Sequence, residues 1–292
     1  MVSYTKRENP MTTLKFTKMQ GCGNDFIIVD YGEFKKAGLN MEDFAKKVCN
    51  RNFSVGADGV IVPFLGQSND VDAEWLFYNS DGSTAQMCGN GMRCFTKYLF
   101  DKKYVKSEEM VLKTGSGIIH SQILKDGQVR VNMGYPILEP EKVPFKGKEC
   151  INAPIKIENN EITINAVSMG NPHCVIYTDD NVDDLAVGLG PLLEKHEMFP
   201  QKTNVEFVNV ISREEIKVGV YERGCGITQA CGTGACASVV AGVMNDLLDN
   251  KVTVNLPGGK LLVEWNGFVN GYIEPIFLTG PCEYSFVGEL YL

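Results

Sequence analysis

QMCGNG at residues 86–91 and QACGTG at 229–234 are almost one phrase, Gln-x-Cys-Gly-x-Gly, written once in each half of a 292-residue chain. Their cysteines, Cys88 and Cys231, stand 143 residues apart. A second pair keeps the same order. GNDFIIVD at 23–30 and GNPHCVIYTD at 170–179 each set a Gly-Asn ahead of an apolar run, with Asn24 and Asn171 147 residues apart. Two such pairs at nearly one offset indicate a duplicated domain whose copies have diverged.

Each copy follows one coarse plan. Alternating or apolar runs bounded by Gly, Asn, Pro and Asp read as strands. In the first copy these are 26–30, 59–64, 73–79, 110–114, 117–124 and 128–133. In the second they are 153–158, 161–167, 174–178, 204–210, 216–222, 252–256, 261–265 and 272–278. The Cys-Gly-x-Gly phrase opens the best helix candidate of each copy. MRCFTKYLFDK (92–102) puts Met92, Phe95, Tyr98 and Leu99 at helical spacing. ACASVVAGVMNDLLD (235–249) is small and apolar on nearly every side, which marks a buried helix. Shorter helices are expected at 40–50 and 183–198. The fold class is α/β, of the α+β type. It comprises two pseudo-symmetric domains, each a curved, mostly antiparallel β-sheet or barrel wrapped around a central helix.

A chain of this length is comfortable as two domains. A net charge of −8 argues against a nucleic acid or an anionic membrane as partner. No apolar run approaches the roughly 20 residues of a membrane span, and the polar start lacks the apolar core of a secretory signal. A cytoplasmic location follows, and the first dozen residues read as a loose extension ahead of the first strand. None of the ten cysteines has Cys-x-x-Cys spacing, and a chain this size needs no disulfide framework. Cys49, Cys94, Cys150, Cys174, Cys236 and Cys282 read as small buried hydrophobes, while Cys22 and Cys225 sit beside motif residues. Three scattered histidines offer no metal site.

Cys88 and Cys231 therefore stand just before the N-termini of two buried helices. Unpaired N–H groups and the helix dipole favour negative charge there and are expected to draw a thiol from about 8.5 toward neutrality. The glycines that follow leave bare amides, a cradle for a carboxylate. If the halves pack about an approximate two-fold axis, both cysteines face one cleft. One can then remove a proton from a carbon while the other returns one to the opposite face. Asn24, Asn171, Asn79 and Asn204 offer amides that both donate and accept. Arg223, beside Glu222, can clamp a second carboxylate bidentately. The pocket suits a small zwitterion with an extra carboxylate.

These residues resemble the diaminopimelate epimerase family along nearly the whole chain, from KMQGCGNDF (18–26) to FVGELYL (286–292). Between them lie VGADG (55–59), NSDGSTAQMCGNGMRC (79–94), MGNPH (169–173), NVEF (204–207) and ERGCGITQACGTGACAS (222–238). The resemblance implies interconversion of LL- and meso-diaminopimelate without pyridoxal phosphate or metal, on the route to lysine and cell-wall precursors. Cys88 and Cys231 would be the acid–base pair. The amides of Gly89, Asn90, Gly232 and Thr233 would hold the reacting carboxylate. Asn24, Asn79, Asn171, Asn204 and Arg223 would bind the rest of the substrate, with Glu222 and His173 helping to set thiol ionisation. Residues 1–131 with 278–292 would form the domain carrying Cys88, and 132–277 the one carrying Cys231. A homodimer is compatible with the sequence. There are departures: Gly59 stands where many members have a substrate-contacting Gln, and Gln20 where many have His. Two alternatives stay open, a proline or hydroxyproline racemase and a non-catalytic thiol protein. The first usually has His where this chain has Asn90.

Overall fold

The computed structural model describes residues 13–66, 70–84, 87–157 and 160–292. The N-terminal extension and Gln86 of the first phrase lie outside them. The chain begins with β1 (Thr13–Gly21), β2 (Asn24–Ile28), α1 (Tyr31–Ala37) and α2 (Met41–Val48). β3 (Gly59–Phe64), β4 (Ala73–Asn79), α3 (Gly89–Asp101), β5 (Glu109–Thr114), β6 (Gly117–Ile123) and β7 (Val129–Asn132) follow. After β8 (Ala153–Ile157) and β9 (Asn160–Ser168) come β10 (Pro172–Tyr177), α4 (Val182–Gly188) and α5 (Gly190–Glu194). Next are β11 (Asn204–Ser212), β12 (Glu215–Glu222), β13 (Gly226–Ile227), α6 (Gly232–Met244), β14 (Lys251–Leu256) and β15 (Gly259–Glu264). A small hairpin, β16 (Phe268–Val269) and β17 (Tyr272–Ile273), precedes β18 (Phe277–Gly280) and β19 (Glu283–Tyr291).

The duplication is written in the strand pairing. From β1 to β7 each strand pairs with the next, and the senses run antiparallel, parallel, antiparallel, parallel, antiparallel, antiparallel. The series β9, β10, β11, β12, β14, β15, β18 repeats those senses in order. Parallel neighbours need a crossover, and the helices fall in the same crossovers both times. α1 and α2 bridge β2 to β3 as α4 and α5 bridge β10 to β11, while α3 and α6 bridge the later parallel pairs. Register also identifies counterparts: Phe26 lies opposite Gly59 as His173 lies opposite Asn204. The halves join where β7 pairs with β18, and the first half is completed when β19 returns to β1.

Each central helix fills a sheet. α3 packs Met92, Phe95 and Leu99 among Phe26, Trp75 and Val131. α6 buries Ala235, Val239 and Val240 among Val218, Val254 and Trp265. Full burial of each such Val, Phe or Leu is worth about 1.5–3 kcal/mol, so the helices are anchored by packing on almost every face. Two expected elements are interrupted. The helix at 183–198 breaks at Leu189, where α4 ends and Pro191 supports a new start. The strand at 272–278 breaks at Pro275, which has no N–H for a ladder. Ile276 instead donates to Gly134 O at 2.9 Å.

Candidate active site

Cys88 and Cys231 are the N-caps of α3 and α6, both in extended conformation (φ −146°, ψ 117° and φ −112°, ψ 108°). The glycine after each lets the two helix starts meet. A Cβ on Gly232 would lie 3.7 Å from Gly89 Cα, and a Cβ on either glycine would lie 3.1 Å from Leu278 Cδ2. The first turns of the two central helices thus converge, bringing two sets of unpaired amides to one place. The Cys231 Sγ accepts from the Gly234 amide at 3.3 Å, whereas Cys88 makes no such cap bond and its Sγ lies 3.5 Å from Asn24 Oδ1.

A cavity of about 690 Å³ opens over these helix starts. Asn24, Asn79, Cys88, Gly89, Asn90, Glu222, Cys231, Gly232 and Thr233 all line it. Asn90 Nδ2 spans the junction, reaching Ala230 O at 3.1 Å and Asn24 Oδ1 at 3.3 Å. The other residues singled out in the sequence stand behind or beside this wall. Asn171 Nδ2 contacts Thr233 Oγ1 at 3.4 Å. His173 is wholly buried, with Nδ1 2.7 Å from Glu206 Oε1 and Nε2 3.1 Å from Asn171 Oδ1. Asn204 is buried too, accepting from the Arg223 amide at 3.0 Å. Arg223 is exposed and donates Nη1 to Gln201 O at 3.1 Å. Cys225 is exposed at the cavity wall, while Cys22 is buried against Arg93. The six cysteines read as hydrophobes are all buried.

The thiols do not titrate as a helix N-terminus alone would suggest. Burial pushes Cys88 from 9.0 up to about 11, against the opposing amides of Gly91 and Asn90, and Glu222 adds to the rise. Burial also holds Cys231 well above its ordinary value, reinforced by Glu222 and Glu206 and opposed by Thr233 and the Gly234 amide. Desolvation of the thiolate therefore outweighs the dipole. Glu222 is itself pushed up by burial, although the Thr228 hydroxyl donates to it at 2.5 Å.

The family profile for diaminopimelate epimerase matches residues 16–139 and 165–282. This chain belongs to the diaminopimelate epimerase family. A diaminopimelate epimerase of Desulfitobacterium hafniense is 44% identical over 286 residues, covering 95% of this chain and 98% of the relative. One of Carboxydothermus hydrogenoformans is 44% identical over 283 residues, covering 96% and 100%. Among solved structures, a hydroxyproline epimerase of Agrobacterium vitis superposes with a TM-score of 0.68 over 96% of this chain and 93% of its own, at 13% identity. That likeness concerns the fold.

Against the diaminopimelate epimerase frame, some groups around the site were not foreseen from the sequence. A side chain at Gly59 has no room, because its Cβ would lie 2.5 Å from Phe77 Cε2 and 2.7 Å from Tyr78 O. Phe77, Asp58 and Arg51 line the cavity on that side instead. Arg51 Nη2 bridges Asp25 and Asp58 at 2.8 Å each, and Asp58 Oδ2 accepts from Asn24 Nδ2 at 2.5 Å. Glu206 stands fully buried on β11, its Oε2 without a hydrogen-bond partner among the described residues. Its one sequence signal was a charge interrupting the apolar run VEFV.

Proposed function

We propose that this protein interconverts LL- and meso-diaminopimelate by two-base proton transfer between Cys88 and Cys231. The supporting observation is that two cysteine-capped helices, one from each half of a duplicated fold, open on a single cavity. A thiolate on one side removes the α-hydrogen, and the thiol on the other side delivers its proton to the opposite face. The roles exchange in the reverse direction. Charge developing on the α-carbon spreads into the α-carboxylate. The amides of Gly89, Asn90, Gly232 and Thr233, at two helix N-termini, hold that group. In this reading those amides, rather than a metal or organic cofactor, take up the carbanion's charge.

The raised thiols fit a weakly acidic substrate carbon, since a thiolate held above its ordinary pKa is a stronger base. The substrate ammonium entering beside Glu222 offsets the carboxylate that keeps the thiols protonated, which favours ionisation of one of them on binding. His173 and Glu222 thus support the acid–base pair. Asn24 and Asn79 meet the substrate from the cavity wall, and Asn171 acts next to Thr233. Asn204 seats the backbone of Arg223, whose side chain is assigned to the distal carboxylate. Two lobes enclose the cleft; of the boundaries expected from the sequence, 1–131 with 278–292 and 132–277, the later one belongs after β18 (Phe277–Gly280), which completes the second half's strand series. A cytoplasmic location belongs to the same reading, and a homodimer is compatible with it. The reaction would serve lysine and cell-wall precursor synthesis.

In D₂O under initial-rate conditions, meso-diaminopimelate should yield product carrying one α-deuterium while unreacted substrate stays protonated. Cys88→Ala and Cys231→Ala should each abolish turnover, and the double variant should be little worse than either. Retention of the substrate hydrogen at the inverted α-carbon, or turnover of proline in place of diaminopimelate, would overturn the reading.

A further inference from the structure

Arg93, on the second turn of α3, is fully buried, yet its described partners are all neutral. Nε donates to Pro281 O at 3.1 Å, Nη2 to Asn90 Oδ1 at 2.9 Å, Nη2 lies 3.6 Å from Cys22 Sγ, and Nη1 has no partner. A buried cation is costly unless something compensates it. We propose that Arg93 is a positioning residue for the carboxylate cradle, fixing the Asn90 amide and holding a positive charge that only an incoming anion neutralises. This rests on the reaction proposed above, whose substrate brings the carboxylate.

The geometry is directional. Because Arg93 occupies Asn90 Oδ1, Asn90 Nδ2 must face the other way, toward Ala230 O and Asn24 Oδ1. Asn24 Oδ1 is the acceptor nearest the Cys88 thiol, and Ala230 precedes Cys231. One guanidinium therefore orients two cavity amides and touches the surroundings of both cysteines. It cannot swing away easily. A Cβ on Gly21 or Gly280 would come within 3.1 Å or 3.2 Å of it, so two backbones hem it in. The charge is also one-sided, because the residue equivalent by spacing in the second half is Cys236. Its field acts on Cys88, opposing the effect of burial.

Alkylation separates charge from structure without relying on turnover. Iodoacetate and iodoacetamide react with the same thiolate, so their rate ratio at Cys88, read by peptide mapping, reports attraction of an anion to the cradle. Relative to the unmutated protein, Arg93→Met should lower that ratio about tenfold or more, and Arg93→Lys should recover part of it. The ratio at exposed Cys225 should not change. The Met variant should keep or raise its Tm, since an apolar group replaces an uncompensated buried charge. In turnover, KM for diaminopimelate should rise more than kcat falls. A Cys88 ratio unchanged in both variants, or a loss of Tm with that ratio preserved, would show Arg93 to be structural and sink the proposal. If the unmutated protein does not act on diaminopimelate, the assigned reaction fails, while the thiol ratios still decide the role of Arg93.

Discussion

Glu222 lies where one carboxylate can govern two thiols. It pushes both Cys88 and Cys231 upward, on top of their burial. Removing its charge must lower both, because a nearby anion disfavours a thiolate. Glu222→Gln should therefore shift the pH dependence of iodoacetamide labelling downward at both cysteines. In the unmutated protein, labelling of Cys88 should keep rising toward about pH 11. The same variant should lose activity, since the proposed ammonium contact goes with the charge. Identical labelling profiles in the two proteins would place Glu222 outside the electrostatics of the thiols. Its counterpart by register in the first half is the neutral Asn79, which pairs with Gly59 as Glu222 neighbours Asn204. The duplicated site is thus chemically lopsided.

At the level of the elements, the opening turn of α6 is constrained at the site itself. A Cβ on Gly234 would stand 2.5 Å from Glu206 Oε1 and 3.2 Å from Cys231 Sγ. Gly234→Ala must displace either the His173–Glu206 pair or the thiol, so it should cost about 1–3 kcal/mol of stability. It should also cut kcat far more than the equivalent change on an outer turn. Denaturant titration and turnover on one preparation would test this, and an active, fully stable variant would contradict it. Helices such as α6 were legible because a repeated phrase and an apolar run marked them. By contrast, α1 was not read: of its seven residues only Phe34 is buried, and its start depends on Asp30 accepting from the Gly32 and Glu33 amides. β19 was also missed. It is mostly exposed and, among the described residues, pairs with β1 alone, so burial leaves little alternation to read. Around the cavity, Cys88, Cys231, Asn24 and Asn171 were marked by repetition, whereas Asn79 and Asn204 were read from their places near strand ends. Arg93 and Glu206 were not, because each acts through partners such as Pro281 and His173 that only the folded chain brings near.

For the molecule as a whole, buried thiols set an alkaline limit. Cys88 is pushed up to about 11, and Cys49, Cys150 and Cys236 to about 12, from 9.0. A raised pKa in the folded state means that the native protein holds these protons more tightly than the unfolded chain does. Their contribution to stability is complete below pH 9 and is lost as pH climbs toward 11 and 12. Denaturant midpoints should accordingly fall across that window, and replacing Cys49 and Cys236 by Ala should flatten the fall, even if it lowers stability at neutral pH. A midpoint that is flat to pH 11 would refute this. The return of β19 to β1 has a different consequence, in the order of manufacture. On the ribosome, β1 emerges before every other described element, but the strand facing Thr13–Gln20 is translated only after both central helices. At about 5–20 residues per second, its edge waits on the order of tens of seconds for a partner. Leu14 and Phe16, buried in the finished protein, are then open to chaperones or to a neighbouring nascent chain. The half that is synthesised first is among the last to be closed.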